Sequence, residues 1–215
     1  MKKLVTDLAK QAERKYYGKY LGFVKDNQDP EKRGRLKLQI PSVFGTQITE
    51  WALPCLPFGG QTQDGSDTPY GFFMIPQVGS QVWAEFAEGE LFCPIWVGVF
   101  WQQGADVPVE AALAEPTTRM LKTPSGHVLQ FDDKSGAEKI TLKTPADNAL
   151  TLNDAEKTVT LLDSNGNCLV MNDKGMELKG KELVLDFDNI TIKDGKVTVT
   201  ASGGATFETS SFEVK

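Results

Sequence analysis

The sequence predicts an all-β chain in which a small antiparallel barrel is followed by a narrow, intertwined β-helix that three copies build together. Three observations predict this fold. Short alternating strand patterns separated by turn residues run from 16 to 101, a stretch with three prolines covers 102–125, and apolar-x-apolar triplets then recur at almost constant steps. With 215 residues, 40% of them apolar, the chain can bury a core of ordinary size.

Residues 1–15 predict a short N-terminal helix, because Leu4, Val5, Leu8 and Ala12 recur near helical spacing. The basic residues at positions 2 and 3 are not followed by the apolar run of a secretory signal. We therefore expect synthesis in the bacterial cytoplasm without a signal peptide. The net charge of −6 does not favour a nucleic-acid partner or an anionic membrane, since both attract basic patches.

Residues 16–101 predict the barrel. Two of the strand patterns place alternate apolar residues on one face, namely Leu36, Leu38 and Ile40 in the first and Val82, Ala84 and Phe86 in the second. No helix pattern strong enough for a parallel sheet separates the strands, so a small antiparallel barrel is favoured over a sandwich. The loop 29–34 is rich in turn residues and predicts a structural role, with contact to a partner protein as the alternative.

Residues 102–125 predict a linker, because they combine prolines with little strand pattern. From 126 to 215 the sequence is almost purely strand and turn, and it ends in a repeat. Its triplets are Leu169-Met171, Met176-Leu178, Leu183-Leu185, Ile190-Ile192, Val197-Val199, Ala205-Phe207 and Phe212-Val214. The steps between them are 7, 7, 7, 7, 8 and 7 residues, with turn residues in between.

Apolar residues two positions apart share one side of a strand but diverge around a helix, so this repeat predicts strands and not a coiled coil. A three-residue strand spans about 10 Å, which is one edge of a narrow prism. One chain alone would form little more than two coils, whereas three chains supply an edge each at every level. The trimeric β-helix is therefore favoured over a plain antiparallel meander of short hairpins.

The predicted trimer core consists of the paired apolar residues of these triplets. They are Leu169, Met171, Met176, Leu178, Leu183, Leu185, Ile190, Ile192, Val197, Val199 and Phe207. The residues between them, such as Val184, Thr191 and Thr198, are expected to face solvent. Val184 fits this expectation least well, although an exposed valine is tolerable.

The chain resembles the central spike proteins of contractile tails: phage baseplate assembly protein V, the phage cell-puncturing spike and the VgrG spike of type VI secretion. The matching positions are Gly22, Val24, Asp26, Asp29-Pro30, Gly34-Arg35, Leu36, Leu38, Trp51-Ala52, the segment 76–79 with Val82, Ala84 and Phe86, then Pro94-Ile95 and Gly98. The segment 125–145 is similar to the entry into the needle of these proteins. The resemblance implies that the barrel is an OB-fold and that the chain is a homotrimer at the centre of a baseplate.

The resemblance also implies partners. A ring-shaped hub protein would contact the OB-fold end, and the needle would meet the target envelope transiently when the tail sheath contracts. The sequence departs from the family in lacking a hub-like domain in front, a lysozyme-like insertion and a histidine-x-histidine tip; its single histidine is His127. We therefore expect a separate hub and a PAAR-like tip protein, the latter contacting Phe212, Val214 and Lys215. The expected location is a virion tail baseplate or an extracellular contractile particle.

The sequence predicts no catalytic residue, cofactor or metal site, because it has no nucleophile elbow, metal motif or phosphate loop. Asp132 and Asp133 are adjacent on a strand pattern and should point to opposite faces. Glu85, Glu88 and Glu90 predict a solvated strand edge, and Cys55, Cys93 and Cys168 predict buried free thiols. The competing hypotheses are an OB-fold adaptor or carbohydrate-binding module on a trimeric β-stalk, and a glycan hydrolase with an unrecognised site.

Overall fold

The structure is a computed structural model that describes residues 15–60, 65, 68–113, 115–193, 196–200, 202–204 and 206. Fourteen of the fifteen residues of the predicted N-terminal helix lie outside these ranges. Within them the chain is mostly β and contains almost no helix. None of its helices in the described part is long and apolar enough to cross a membrane.

The first half of the chain forms an OB-like domain. Its strands are β1 (Tyr20–Asp26), β2 (Lys37–Gln39), β3 (Leu53–Pro54), β4 (Gly59–Gly60), β5 (Tyr70–Gly71), β6 (Gln81–Phe86) and β7 (Pro94–Val99), with a one-turn helix α1 (Pro41–Phe44) after β2. Five of them form a sheet in the order β2-β1-β6-β7-β3, in which β3 and β7 run parallel. Leu36 and Ala52, just before β2 and β3, exchange two backbone hydrogen bonds of 3.1 and 2.7 Å, and these bonds close the sheet into a barrel.

The barrel core confirms the predicted alternation. Leu36, Leu38 and Ile40 are fully buried, and Val82, Ala84 and Phe86 are buried from β6. Val24, Ala52 and Trp96 complete the cluster. Burying a leucine or isoleucine side chain contributes about 1.5–3 kcal/mol, so these residues dominate the stability of the barrel.

The turn from β6 to β7 and the entry of the chain into β1 lie at one end of the barrel. There Phe86 packs against Tyr16, Tyr20 and Phe44, with ring centroids 5.4 to 6.1 Å apart. The backbone N–H of Tyr16 donates to the carbonyl of Gly89 at 2.9 Å. The opposite end of the barrel is where β7 leaves toward the second sheet, since β6 and β7 are antiparallel.

The second half forms one seven-stranded antiparallel sheet in sequence order. Its strands are β8 (Thr118–Lys122), β9 (Val128–Asp132), β10 (Lys139–Lys143), β11 (Ala149–Asn153), β12 (Thr158–Leu162), β13 (Cys168–Asn172) and β14 (Gly175–Lys179). The sheet begins inside the predicted linker 102–125. Its first strand, β8, lies within that range and pairs with β9 along its whole length. The linker itself is tied back to β8 by an ion pair of 2.6 Å between Glu110 and Lys122.

The structure of the chain alone differs from the predicted needle over its first two triplets. Leu169-Met171 lies in β13 and Met176-Leu178 in β14, and these strands form a hairpin with each other. A single chain makes this pairing because the two-residue turn 173–174 reverses the direction of the chain between β13 and β14. Up to Lys179 the fold is therefore the antiparallel meander that the sequence left as an alternative. No strand is formed in 180–193 or 196–200.

Candidate functional site

The register of the second sheet brings seven leucines into one row. Each strand places its leucine directly opposite that of the next, in the order Leu121, Leu129, Leu142, Leu150, Leu161, Leu169 and Leu178. Neighbouring strands lie about 4.8 Å apart, so this row runs roughly 29 Å across the sheet.

A second row lies on the same side of the sheet, two residues away along each strand. It consists of Arg119, Phe131, Ile140, Leu152, Val159, Met171 and Met176. Only its first member is charged, and Arg119 pairs with Asp133 at the edge of the sheet. We call the two rows together the apolar face.

The opposite side of the sheet is polar along much of its length. Its middle row reads Met120, Gln130, Thr141, Thr151, Thr160, Val170 and Glu177. Since side chains alternate between the two sides of a strand, this pattern is typical of a sheet with one face in water and one face against a partner.

The described part of this chain leaves most of the apolar face uncovered, and only Leu183 lines a cleft with Leu169 and Leu178 at one end of it. Leu142 is 54% exposed, Leu161 53% and Leu178 59%, although all three belong to a continuous row. A contiguous apolar surface of this size is typical of an interaction site and not of a monomer surface.

The predicted trimer-core residues fall into three groups. Leu169, Met171, Met176 and Leu178 lie on the apolar face; Leu183, Leu185, Ile190, Ile192, Val197 and Val199 are exposed and belong to no strand; Phe207 lies outside the described residues. The predicted tip contacts Phe212, Val214 and Lys215 also lie outside them. Their assignment to a trimer core or a tip contact stays a prediction.

The sequence prediction missed the larger part of the apolar face, from Leu121 to Leu161. The signal was present in β9 to β12, because each of these strands has apolar residues two positions apart, whereas β8 contributes only Leu121. Their strand-to-strand steps are 9 to 11 residues instead of 7, so a search for the shorter repeat did not join them to it. The longer steps leave room for a hairpin loop within the same chain.

Asp29 holds the loop between β1 and β2. Its side chain is 3% exposed and accepts hydrogen bonds from the backbone N–H groups of Glu31, Arg33 and Arg35 at 3.0, 2.8 and 3.3 Å. The guanidinium of Arg35 donates twice more, from Nε at 3.0 Å and Nη2 at 2.6 Å. The Arg35 guanidinium is the main cause that holds the pKa of Asp29 far below its usual range, and the backbone donors add to it. These contacts support the predicted structural role of this loop.

Other polar residues singled out in the sequence are dispersed. Thr118 donates to Asp132 on the polar side at 2.8 Å, while Asp133 pairs with Arg119, so the two aspartates diverge as predicted. His127 is exposed in the turn between β8 and β9. Among the described residues, no group of three His, Cys, Asp or Glu side chains is arranged to hold a metal ion.

Two expectations about the barrel surface are wrong. Cys55 and Cys93 are exposed and Cys168 is half-buried. Cys55 follows the exposed Leu53 by two residues on the same strand side, and Cys93 is next to the exposed Phe92, whereas Leu56 and Leu91 pack against the core. Glu85 lies on β6, but Glu88 and Glu90 lie in or next to the turn that follows it. Glu85 and Glu90 pair with Lys19 and Lys15, which lie just before β1.

Comparison with known proteins gives two similarities. Residues 20–101 match the family of type VI secretion system and phage-baseplate injector OB domains. Over 183 residues the chain is 26% identical to the actin cross-linking toxin VgrG1 of Vibrio cholerae serotype O1, an alignment that covers 80% of this chain and 16% of that protein. This chain therefore corresponds to a small part of that relative.

Proposed function

We propose, from the VgrG-like baseplate spike family that these two similarities support, that the chain is the central spike of a contractile injection machine. In this proposal three copies assemble below a hub and pierce the target envelope when the sheath contracts. The observation that carries the proposal is the apolar face, which the described part of one chain leaves open over seven strands.

Three sheets of this kind close into a prism with their apolar faces inside and their threonine-rich sides in water. Each strand of five residues spans about 16 Å and offers two side chains to the centre of the prism, which is narrow enough for these to meet. Fully burying an exposed leucine contributes about 1.5–3 kcal/mol, and these leucines are 59% exposed or less, so each would add about half of that on assembly.

Residues 183–199 support three copies rather than two. Their triplets keep the seven-residue step but find no strand partner within the described chain. Each triplet supplies one short edge, and three edges are needed to surround an axis at each level. In the proposed trimer each chain contributes one short strand at each level, next to the strands of the other two chains. The prism then continues as an intertwined β-helix.

The proposal gives the two ends different partners. The end of the barrel that faces away from the sheet exposes Tyr17 and Phe92, at 69% and 80%, and is the proposed contact with a ring-shaped hub protein. A PAAR-like protein at the C-terminal residues stays a prediction from the sequence. The proposed location is the baseplate of a phage tail or of a related contractile particle.

The test is the mass of the full chain in solution, measured by light scattering and native mass spectrometry. We expect three times the 23.6 kDa of one chain. A stable monomer would refute the proposal.

A second measurement separates the spike from an adaptor module on a trimeric stalk. The chain should be found by mass spectrometry and electron microscopy on the axis of purified contractile particles. A trimer that is absent from such particles would favour the adaptor.

A further inference from the structure

We infer that the hairpin formed by β4 and β5 is a second interface between copies of this chain, one that joins the barrels to each other. The inference rests on the proposed trimer and adds a contact to it. We call residues 56–60 and 70–74 the aromatic arm. Its principal side chains are Phe58, Tyr70, Phe72 and Phe73.

The strands of the aromatic arm do not join the barrel sheet, although Leu56 at the base of the arm packs against the barrel core. β4 and β5 pair only with each other, over two residues each. Phe58 packs against Tyr70 and Phe72, with ring centroids 5.3 and 6.1 Å apart. Phe58 and Tyr70 nevertheless remain 56% and 57% exposed, and Phe73 is 70% exposed. Because an isolated two-stranded hairpin is marginally stable in water, this arm needs a surface to pack against.

The backbone of the aromatic arm is built for close pairing. A Cβ atom on Gly71 would lie 2.6 Å from the Cα of Gly59 and 2.9 Å from the carbonyl oxygen of Phe58. Only glycine allows the two strands this approach, which holds the aromatic rings of both strands together.

The position of the arm points to a second copy as its partner. β3 runs parallel to β7, so the chain leaves β3 toward the arm at the same end of the barrel at which β7 leaves toward the second sheet. Phe73 and Met74 line one cleft with Trp101 and Leu121. Leu121 is the first leucine of the apolar face, and the exposed apolar surface of the arm is therefore continuous with the proposed trimer interface.

The chemistry of the arm agrees with this partner. Positions 51–84 contain no lysine or arginine, and their only acidic residues are Asp64 and Asp67. A surface without basic residues does not suit nucleic acid, and aromatic side chains favour a protein surface. The proposed hub contact lies at the opposite end of the barrel, away from the second sheet. The arm lies at the end where the second sheets of the three copies would meet, so a second copy is its partner in this proposal.

The test places a photo-activated benzophenone amino acid at position 73 of the full chain, and at position 17 as a matched control, because Tyr17 is equally exposed and lies beside Gly89 at the end of the barrel where the chain enters β1. We expect illumination of the Phe73 probe to give covalently linked copies on a denaturing gel, mapped to the barrel or to β8 of a neighbour. The Tyr17 probe should give none.

Two variants sharpen the test. The first is Phe58→Ser. The second, Gly71→Ala, keeps every aromatic side chain but forces the two strands apart. Each should remove most of the linked product while the trimer mass is unchanged. A trimer that gives no linked copies from position 73 would overturn the arm interface and leave the proposed function standing. A monomeric wild-type chain would overturn the proposed function itself.

Discussion

Asp29 shows how one side chain fixes the geometry of a loop. Its carboxylate collects the backbone N–H groups of three residues and the guanidinium of Arg35, all within six residues of sequence. Trp51 then stacks beneath Arg35, with the guanidinium carbon 5.7 Å from the ring centroid. The conformation of the loop is therefore held by a buried and fully paired charge in addition to its turn residues.

Replacing Asp29 with asparagine should lower the melting temperature of the barrel, since the amide cannot pair with Arg35 and accepts fewer hydrogen bonds. Glu31→Gln is the control, because Glu31 is half exposed in the same loop and also faces Arg35. Differential scanning calorimetry at pH 7 should show a clear loss for Asp29→Asn and a smaller one for Glu31→Gln. Equal melting temperatures for wild type and Asp29→Asn would contradict the structural role.

The same carboxylate makes a pH prediction. The pKa of Asp29 is lowered in the folded state, so its stabilisation is fully present above the unfolded pKa of about 3.9 and is lost as the pH falls toward the folded pKa. Below about pH 4 the difference in melting temperature between wild type and Asp29→Asn should therefore narrow. A difference that stays constant down to pH 2 would show that the charge of Asp29 is not the cause.

At the scale of a residue, the sequence predicted alternation well and exposure poorly. Leu36, Leu38 and Ile40 alternate because a strand in a closed barrel has one inner side. The exposure of Cys55 and Cys93 was not predictable, because each stands between apolar residues of both kinds: Leu56 and Leu91 pack against the core, while Leu53 and Phe92 are exposed.

At the scale of an element, the strands of the second sheet depend on their register. A shift of one residue would move every leucine of the apolar face to the polar side. Six consecutive hairpins preserve the register from β8 to β14. The row of leucines is therefore a property of the loop lengths as much as of the strands.

Leu150→Asp, in the middle strand of this sheet, should prevent assembly, because three aspartates would meet inside the prism without a partner for their charge. Thr151→Asp is its matched control, one residue along the same strand and on the opposite side of the sheet. It should cost about 1 kcal/mol or less, because aspartate is disfavoured in strands but its side chain stays on the polar side of the sheet.

Sedimentation velocity of both variants measures the outcome. A trimer that persists with Leu150→Asp, or one that is lost with Thr151→Asp, would mean that the apolar face is not the interface. Circular dichroism checks that the barrel of each variant remains folded.

At the scale of the whole molecule, the proposed spike is a barrel that continues into a stiff shaft. Chains wound around a common axis cannot leave one at a time, so an intertwined trimer resists unfolding kinetically. A stiff and stable shaft of this kind suits a part that transmits the contraction of the sheath to an envelope.

Ile190→Asp tests the part of the shaft beyond Lys179, where the described chain forms no strand. In the proposed trimer it places three like charges on the axis, and the resistance of the trimer to heat and detergent should fall sharply. Thr191→Asp, expected to face solvent, should leave it unchanged. Denaturing gels of unheated and heated samples compare the variants, and equal resistance of Ile190→Asp and wild type would show that Ile190 points outward.

The sequence by itself determined the all-β class, the position and inner face of the barrel, and the seven-residue triplets, because alternation and turn residues act over short distances along the chain. Only the tertiary structure decided that the sheet begins at Thr118 and that seven leucines line up on one open face. The reason is physical: residues on neighbouring strands meet through hairpins of unequal length, and a pattern along the chain does not fix which residue of one strand lies opposite which residue of the next.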